Sequence, residues 1–131
     1  MTHRLTLRVY YEDVDLAGIV YYANYLRFYE RGRSEALREA GIDQAALRDA
    51  GLVFVVVRVE ADYLRPARYD DLLTVETGTE EMRAATLVMA QRILRRSDGA
   101  LLNRARVRVA AMDPEGRPKR LPPALRAAFT A

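Results

Sequence analysis

Asp13-Val14-Asp15-Leu16-Ala17-Gly18-Ile19-Val20-Tyr21-Tyr22 joins a segment of alternating residues to a segment of helical ones, and its reading decides the fold. Upstream, Leu5, Leu7 and Val9 alternate with Thr6, Arg8 and Tyr10, which predicts a half-buried strand. Downstream, Tyr25, Leu26, Phe28, Tyr29, Ala36, Leu37 and Ala40 recur at helical spacing, with Glu30, Arg31, Arg33, Arg38 and Glu39 at the polar positions. A helix over 22–40 is expected, closed by Gly41 at its C′ position. Its start has no conventional cap. The residue before Tyr22 is Tyr21, not the Ser, Thr, Asp or Asn that would satisfy the free N–H groups of a first turn. Donors left open in this way attract negative charge, including the charge that develops on an acyl oxygen under attack, and Asp15 lies just upstream as a nucleophile or base.

The rest of the chain is rich in strands. Residues 52–64, 71–79, 84–96 and 100–112 are dense in Val, Leu and Thr. Asp43 reads as the N-cap of a short helix to Ala50, closed by Gly51. Ser97-Asp98-Gly99 marks a hairpin, Arg65-Pro66-Ala67-Arg68 interrupts a ladder, and Asp113-Pro114-Glu115-Gly116 reads as a turn. A short helix is expected from about Pro123 to Phe129. Strand, long helix, then four antiparallel strands make an α+β fold, one helix over a five-stranded antiparallel sheet. Gly32 in mid-helix costs about 1 kcal/mol relative to alanine, and close packing of the helix backbone on the sheet is the reason to keep it. Such a sheet has exposed edges and a second face, so a homodimer or homotetramer is expected.

Composition removes much familiar chemistry. There are no cysteines, and the only histidine is His3. Disulfides, thiolate metal sites and a thiol nucleophile are therefore excluded, and a Ser-His-Asp triad would have to recruit His3. Neither a metal nor a cofactor is expected. An enzyme built from this chain would work with carboxylates, backbone dipoles, tyrosines and arginines. The net charge of +3 arises from 21 basic residues interleaved with 18 acidic ones, which argues against nucleic acid. Every basic residue but Lys119 is arginine, a bias that carries no functional weight alone. No apolar run reaches the length of a membrane span and no signal peptide is recognisable, so a cytoplasmic protein of one domain, residues 1–131, is expected.

The string from Val9 to Arg31, centred on Asp15-Leu16-Ala17-Gly18, resembles the hotdog-fold acyl-CoA thioesterases. It is most similar to their Tol-Pal-associated YbgC branch, with the 4-hydroxybenzoyl-CoA thioesterases as near relatives. Asp62-Tyr63-Leu64-Arg65-Pro66-Ala67-Arg68-Tyr69-Asp70-Asp71, Met82-Arg83 and Gln91-Arg92-Ile93 support the likeness, which thus covers nearly the whole chain. The resemblance implies a long helix wrapped by an antiparallel sheet, dimers with a continuous sheet that often pair into tetramers, and hydrolysis of an acyl-CoA to a free acid and CoA. Asp15 corresponds to the catalytic carboxylate, Gly18 to the glycine of its motif, and Tyr22 to the position whose backbone N–H polarises the thioester carbonyl. YbgC-type members commonly carry histidine where this chain has Tyr22. A tyrosine with an ordinary pKa near 10 is a poor base at neutral pH, but the backbone N–H survives the replacement.

Asp15 and Tyr22 are thus the candidate catalytic residues, and Gly18, Asn24 and Arg83 the candidate substrate-binding residues. Asn24 either orients the preceding loop or touches substrate. Arg83 matches an arginine that in relatives lies near the CoA nucleotide, and it also fits a solvated strand end. Asp13 reads as structural, and Glu30 as the partner of Arg27 or Arg33. The tyrosines at 10, 11, 21, 22, 25 and 29 could line an acyl pocket or form core. Acyl-CoA, or an acyl carrier protein, is the expected substrate. The competing readings are a hotdog hydratase, disfavoured because those relatives usually rely on a histidine in the site, and a non-catalytic module that binds acyl-CoA or acyl carrier protein.

Overall fold

The computed structural model describes residues 2–130. Strand β1 (Thr2–Arg8) leads through a loop to helix α1 (Asn24–Glu39) and the short α2 (Gln44–Asp49). Strands β2 (Val53–Tyr63), β3 (Leu72–Met82), β4 (Thr86–Arg95) and β5 (Leu101–Met112) follow, then helix α3 (Pro123–Ala128). The five strands form one antiparallel sheet in the order β1-β3-β4-β5-β2. This is the expected α+β architecture, with α1 laid across one face.

Gly32 sets how closely the helix approaches. A Cβ there would lie 2.8 Å from Val75 Cγ1 and 2.9 Å from Thr77 Oγ1, so only a bare backbone fits against β3. Around this contact Phe28, Tyr29, Leu73, Val75 and Ile93 are fully buried. A polar seam crosses the same layer. The Gln91 carboxamide donates to Thr77 Oγ1 at 2.9 Å and to Tyr29 O at 3.0 Å, and accepts from Arg33 Nη1 at 3.0 Å. A second apolar cluster, including Leu37, Met89, Leu121 and Leu125, fills the space between the C-terminal half of α1, the sheet and α3.

Several boundaries differ from expectation, three of them for identifiable local reasons. Helix α1 begins at Asn24, not Tyr22, because the Asn24 N–H is spent on Tyr21 O at 2.8 Å, closing a turn over Tyr21–Asn24. Strand β1 ends at Arg8, since Val9 exchanges hydrogen bonds with the Asp70-Asp71 corner. Strand β3 continues past Thr79 to Met82 by skipping Glu80 in a bulge. The helix C-terminus is as expected. Gly41 takes φ +79°, its N–H reaches Arg38 O and that of Ile42 reaches Leu37 O, a closed Schellman end.

The face of the sheet away from the helix is a lattice of charges. Arg92 meets Glu76 at 2.6 Å and Arg104 meets Asp62 at 3.0 Å across neighbouring strands, and Arg106 of β5 reaches past β4 to Glu80 in the β3 bulge at 2.6 Å. That face can stand in water. The edge strand β2 is different, with Val55, Val56, Val57 and Val59 exposed along it.

Candidate active site

The loop between β1 and α1 is built around two aspartates with different roles. Asp13 is buried, and its Oδ2 accepts from Tyr10 N at 2.8 Å. Its carbonyl accepts twice, from Tyr21 N at 2.9 Å and from Asn24 Nδ2 at 3.0 Å. Asp13 and Asn24 therefore hold the loop to the start of the helix. Asp15 stands outside this scaffold, exposed at the tip of a small hairpin bridged by Val14 and Val20. The Gly18 N–H donates to Asp15 O at 3.0 Å, the Asp15 N–H to Ile19 O at 3.0 Å, and Gly18 sits at φ +76°. A side chain at Gly18 would strain that turn. The Asp15 carboxylate accepts from Ala17 N at 2.9 Å through Oδ1, and Oδ2 has no hydrogen-bond partner among the described residues.

The hairpin is tied to the segment after β2, with Val20 N donating to Ala67 O at 2.8 Å. Between them opens a cavity of about 330 Å3 lined by Asp15, Tyr21, Tyr22, Tyr25, Tyr63 and Arg65, among others. The backbone N–H groups of Tyr22 and Ala23 donate to no acceptor among the described residues. Asp15 and Tyr22 thus line one cavity, and an exposed carboxylate with an unpaired backbone donor at a helix entrance can supply an attacking oxygen and stabilise an oxyanion.

Two contributors were not singled out in the sequence. Tyr63 donates its hydroxyl to Tyr22 O at 2.8 Å and packs edge-on against Tyr25, ring centroids 5.3 Å apart. This bond fixes the Tyr22–Ala23 peptide, which adjoins the one that carries the Tyr22 N–H. Partial burial raises the Tyr63 phenol above its ordinary pKa, with the Tyr22 phenol adding to the effect, so it stays a donor at neutral pH. Arg65 follows Tyr63 and Leu64 at the strand exit. The signal for both was the end of an apolar strand just before Arg65-Pro66, which places strand-end side chains at a loop cluster.

Other candidates separate. Tyr29 is core, Tyr25 is buried core that also lines the cavity with Tyr21 and Tyr22, and Tyr10 and Tyr11 are exposed. Glu30 does not form the expected ion pair with Arg27 or Arg33; its Oε1 accepts from Ser34 Oγ at 2.9 Å, while Arg33 turns to Gln91. Arg83 pairs with Glu81 at 2.8 Å just beyond the far end of β3, whose near end, Leu72, adjoins the loop through Arg8. Ten strand steps put the two ends roughly 33 Å apart, so one chain does not bring Arg83 to Asp15. His3 is held by Glu39 at 2.8 Å on the edge strand, away from the cavity. No cluster among the described residues has the ligands for a metal ion, and no helix among them is long and apolar enough to cross a membrane.

Comparison with known proteins fixes the class. Residues 9–129 match the model of the thioesterase-like superfamily, and the chain belongs to that family, with the hotdog fold. Within it, the chain is 43% identical over 127 residues to the acyl-CoA thioester hydrolase YbgC of Escherichia coli O6:H1, covering 96% of this chain and 94% of the relative. It is 42% identical to the acyl-CoA thioesterase YbgC of Haemophilus influenzae, over 94% of this chain and 90% of that one. Among solved structures, a probable thioesterase from Bartonella henselae superposes with a TM-score of 0.86 at 41% identity, covering 93% of this chain and all (100%) of that one. A 1,4-dihydroxy-2-naphthoyl-CoA thioesterase from Synechocystis has the same fold, with a TM-score of 0.93 at 22% identity over 98% and 96% of the two chains.

Proposed function

We propose that this chain hydrolyses acyl-CoA thioesters, releasing a carboxylic acid and the CoA thiol. The observation that carries the reading is the pairing of Asp15 with the unpaired Tyr22 N–H on one cavity, in a chain without cysteine and with its only histidine elsewhere. The names of its relatives in Escherichia coli and Haemophilus influenzae support the same substrate class. The Tyr22 N–H would polarise the carbonyl and hold the oxyanion. Asp15 would either attack the carbonyl carbon to give a mixed anhydride that water cleaves, or take a proton from the attacking water. Gly18 acts by allowing the turn that presents Asp15, and Asn24 by fixing the loop.

The working unit in this proposal is a homodimer joined through β2. An edge strand that presents apolar side chains and free ladder groups pairs readily with a copy of itself, and a two-fold axis makes that pairing antiparallel. Such an axis sets Tyr63 of one subunit beside the start of the partner's β2. It also brings the β3–β4 turn of the partner to the same end of the double sheet as the catalytic loop, the only route by which an Arg83 could reach the nucleotide of the bound CoA.

Thiol release from short, long and aromatic acyl-CoAs, measured for the natural protein and for Asp15→Asn, tests the proposal. Turnover that vanishes in the variant while acyl-CoA still binds supports it. Binding without turnover by the natural protein would make the chain a binding module, with Asp15 only shaping the loop.

A further inference from the structure

A second cavity, of about 180 Å3, lies beneath the C-terminal half of α1, with Leu37, Phe54, Met89 and Leu125 in its apolar wall and Glu30, Arg33 and Ser34 on its polar side. Arg33 differs from most arginines of this chain. Arg92, Arg104 and Arg106 each meet a carboxylate at 3.0 Å or less on the solvent face of the sheet. Arg33 is half-buried on the helix side, and its hydrogen-bonded partner is the neutral Gln91 Oε1 at 3.0 Å. No carboxylate among the described residues lies within ion-pair distance of it. Burial pushes its guanidinium below the ordinary arginine value, and the charge of nearby Glu30 offsets only part of that. Glu30 also lines the cavity, but it is solvent-exposed and its Oε1 is taken by Ser34 Oγ rather than by Arg33. What remains is a desolvated cation with unused N–H donors beside an apolar cavity, a combination that favours an anion.

The position of this cavity relates it to the catalytic one. On β2, Phe54 and Val56 stand opposite Ala111 and Val109, while Tyr63 stands opposite Asn103. The bulge at Val57 shifts the phase by one residue, so that all three face the helix side. Phe54 and Val56 line the second cavity and Tyr63 the catalytic one. Antiparallel pairing of β2 with its copy therefore sets the catalytic cavity of one subunit next to the second cavity of the other, on the same face of the sheet.

We infer that the second cavity receives the far end of the acyl group held at the partner's Asp15, and that Arg33 binds an anionic terminus there, selecting CoA thioesters of chains that end in a carboxylate. The inference rests on the thioesterase reading and on pairing through β2. An apolar cavity of about 150 Å3 holds a benzene ring, so about six carbons fit inside this cavity, in addition to those that cross the catalytic one.

The test uses non-hydrolysable CoA thioethers in pairs of matched length, from about six carbons upward, that end in a carboxylate or in a methyl group. Each is titrated calorimetrically into the full-length protein, Arg33→Gln and Arg33→Lys. The natural protein is expected to bind the carboxylate-ended compound about tenfold more tightly, as a charge-assisted hydrogen bond allows. Arg33→Gln should reverse the order and Arg33→Lys retain part of the preference. An Arg33 that merely anchors Gln91 would affect both compounds alike. Tighter binding of the methyl-ended compound by the natural protein, an unchanged ratio in both variants, or no binding of either compound overturns the inference. Thiol release from the matching thioesters is read separately. Failure to hydrolyse any of them removes the thioesterase reading, while the binding ratio still decides what Arg33 recognises.

Discussion

The two ends of helix α1 solve the same problem in opposite ways. At the C-terminus every device is in place: Gly41 adopts the left-handed conformation, and two N–H groups return to the last turn. At the N-terminus Ala23 occupies the cap position with no side-chain bond, and the N–H groups of Tyr22 and Ala23 point at no acceptor among the described residues. Open donors at a helix entrance cost stability unless something fills them. The proposed mechanism puts the chemistry at the open end, beside the cavity that Asp15 lines.

Substitutions at the two ends sharpen this contrast. Tyr22 is the second residue of the Tyr21–Asn24 turn, a position that tolerates proline, so Tyr22→Pro deletes the N–H with little change of path. Turnover should fall about 10²–10³-fold, the cost of one oxyanion donor, whereas Tyr22→Ala keeps the N–H and should stay within about tenfold. Equal losses in both variants would assign the role to the phenol ring. Gly32→Leu drives a side chain into Val75 and Thr77, and denaturant titration should show a stability loss of about 2–3 kcal/mol. Gly41→Ala strains the closed end and should cost about 1 kcal/mol in the same assay, with turnover per folded molecule unchanged. Tyr63→Phe releases the bond to Tyr22 O and should lower kcat/KM about fivefold, a loss of about 1 kcal/mol, with the melting temperature nearly constant. A Gly41→Ala protein that is stable but inactive would undo the division between the two ends.

The closed parts of the molecule were the legible ones. Alternating apolar residues in β1, Asp43 at the N-cap of α2 and Gly41 and Gly51 at helix ends all act through their immediate neighbours, and each stands in the structure where its pattern put it. Gly32 was legible as a packing residue because its cost in a helix demands a reason. The start of α1 was misread by two residues, since the turn there depends on bonds from Asn24 to Tyr21 and Asp13 that no periodicity announces. Gln91, buried at the centre of the polar seam, and Tyr63, bonded to the Tyr22 carbonyl, draw their roles from residues 62 and 41 positions away. Asp15 and Tyr22 were visible as candidates because they sit within one short stretch. Arg83 was visible only by resemblance, and its distance from Asp15 within the chain follows from sheet topology.

The most direct test is the rate of thiol release from a well-turned-over acyl-CoA by Asp15→Asn, whose amide oxygen can still accept from Ala17 N and keep the loop intact. The account predicts a fall in kcat of about 10²–10⁴-fold with KM and melting temperature nearly unchanged. A variant that retains turnover within tenfold of the natural protein would contradict it and move the chemistry away from Asp15.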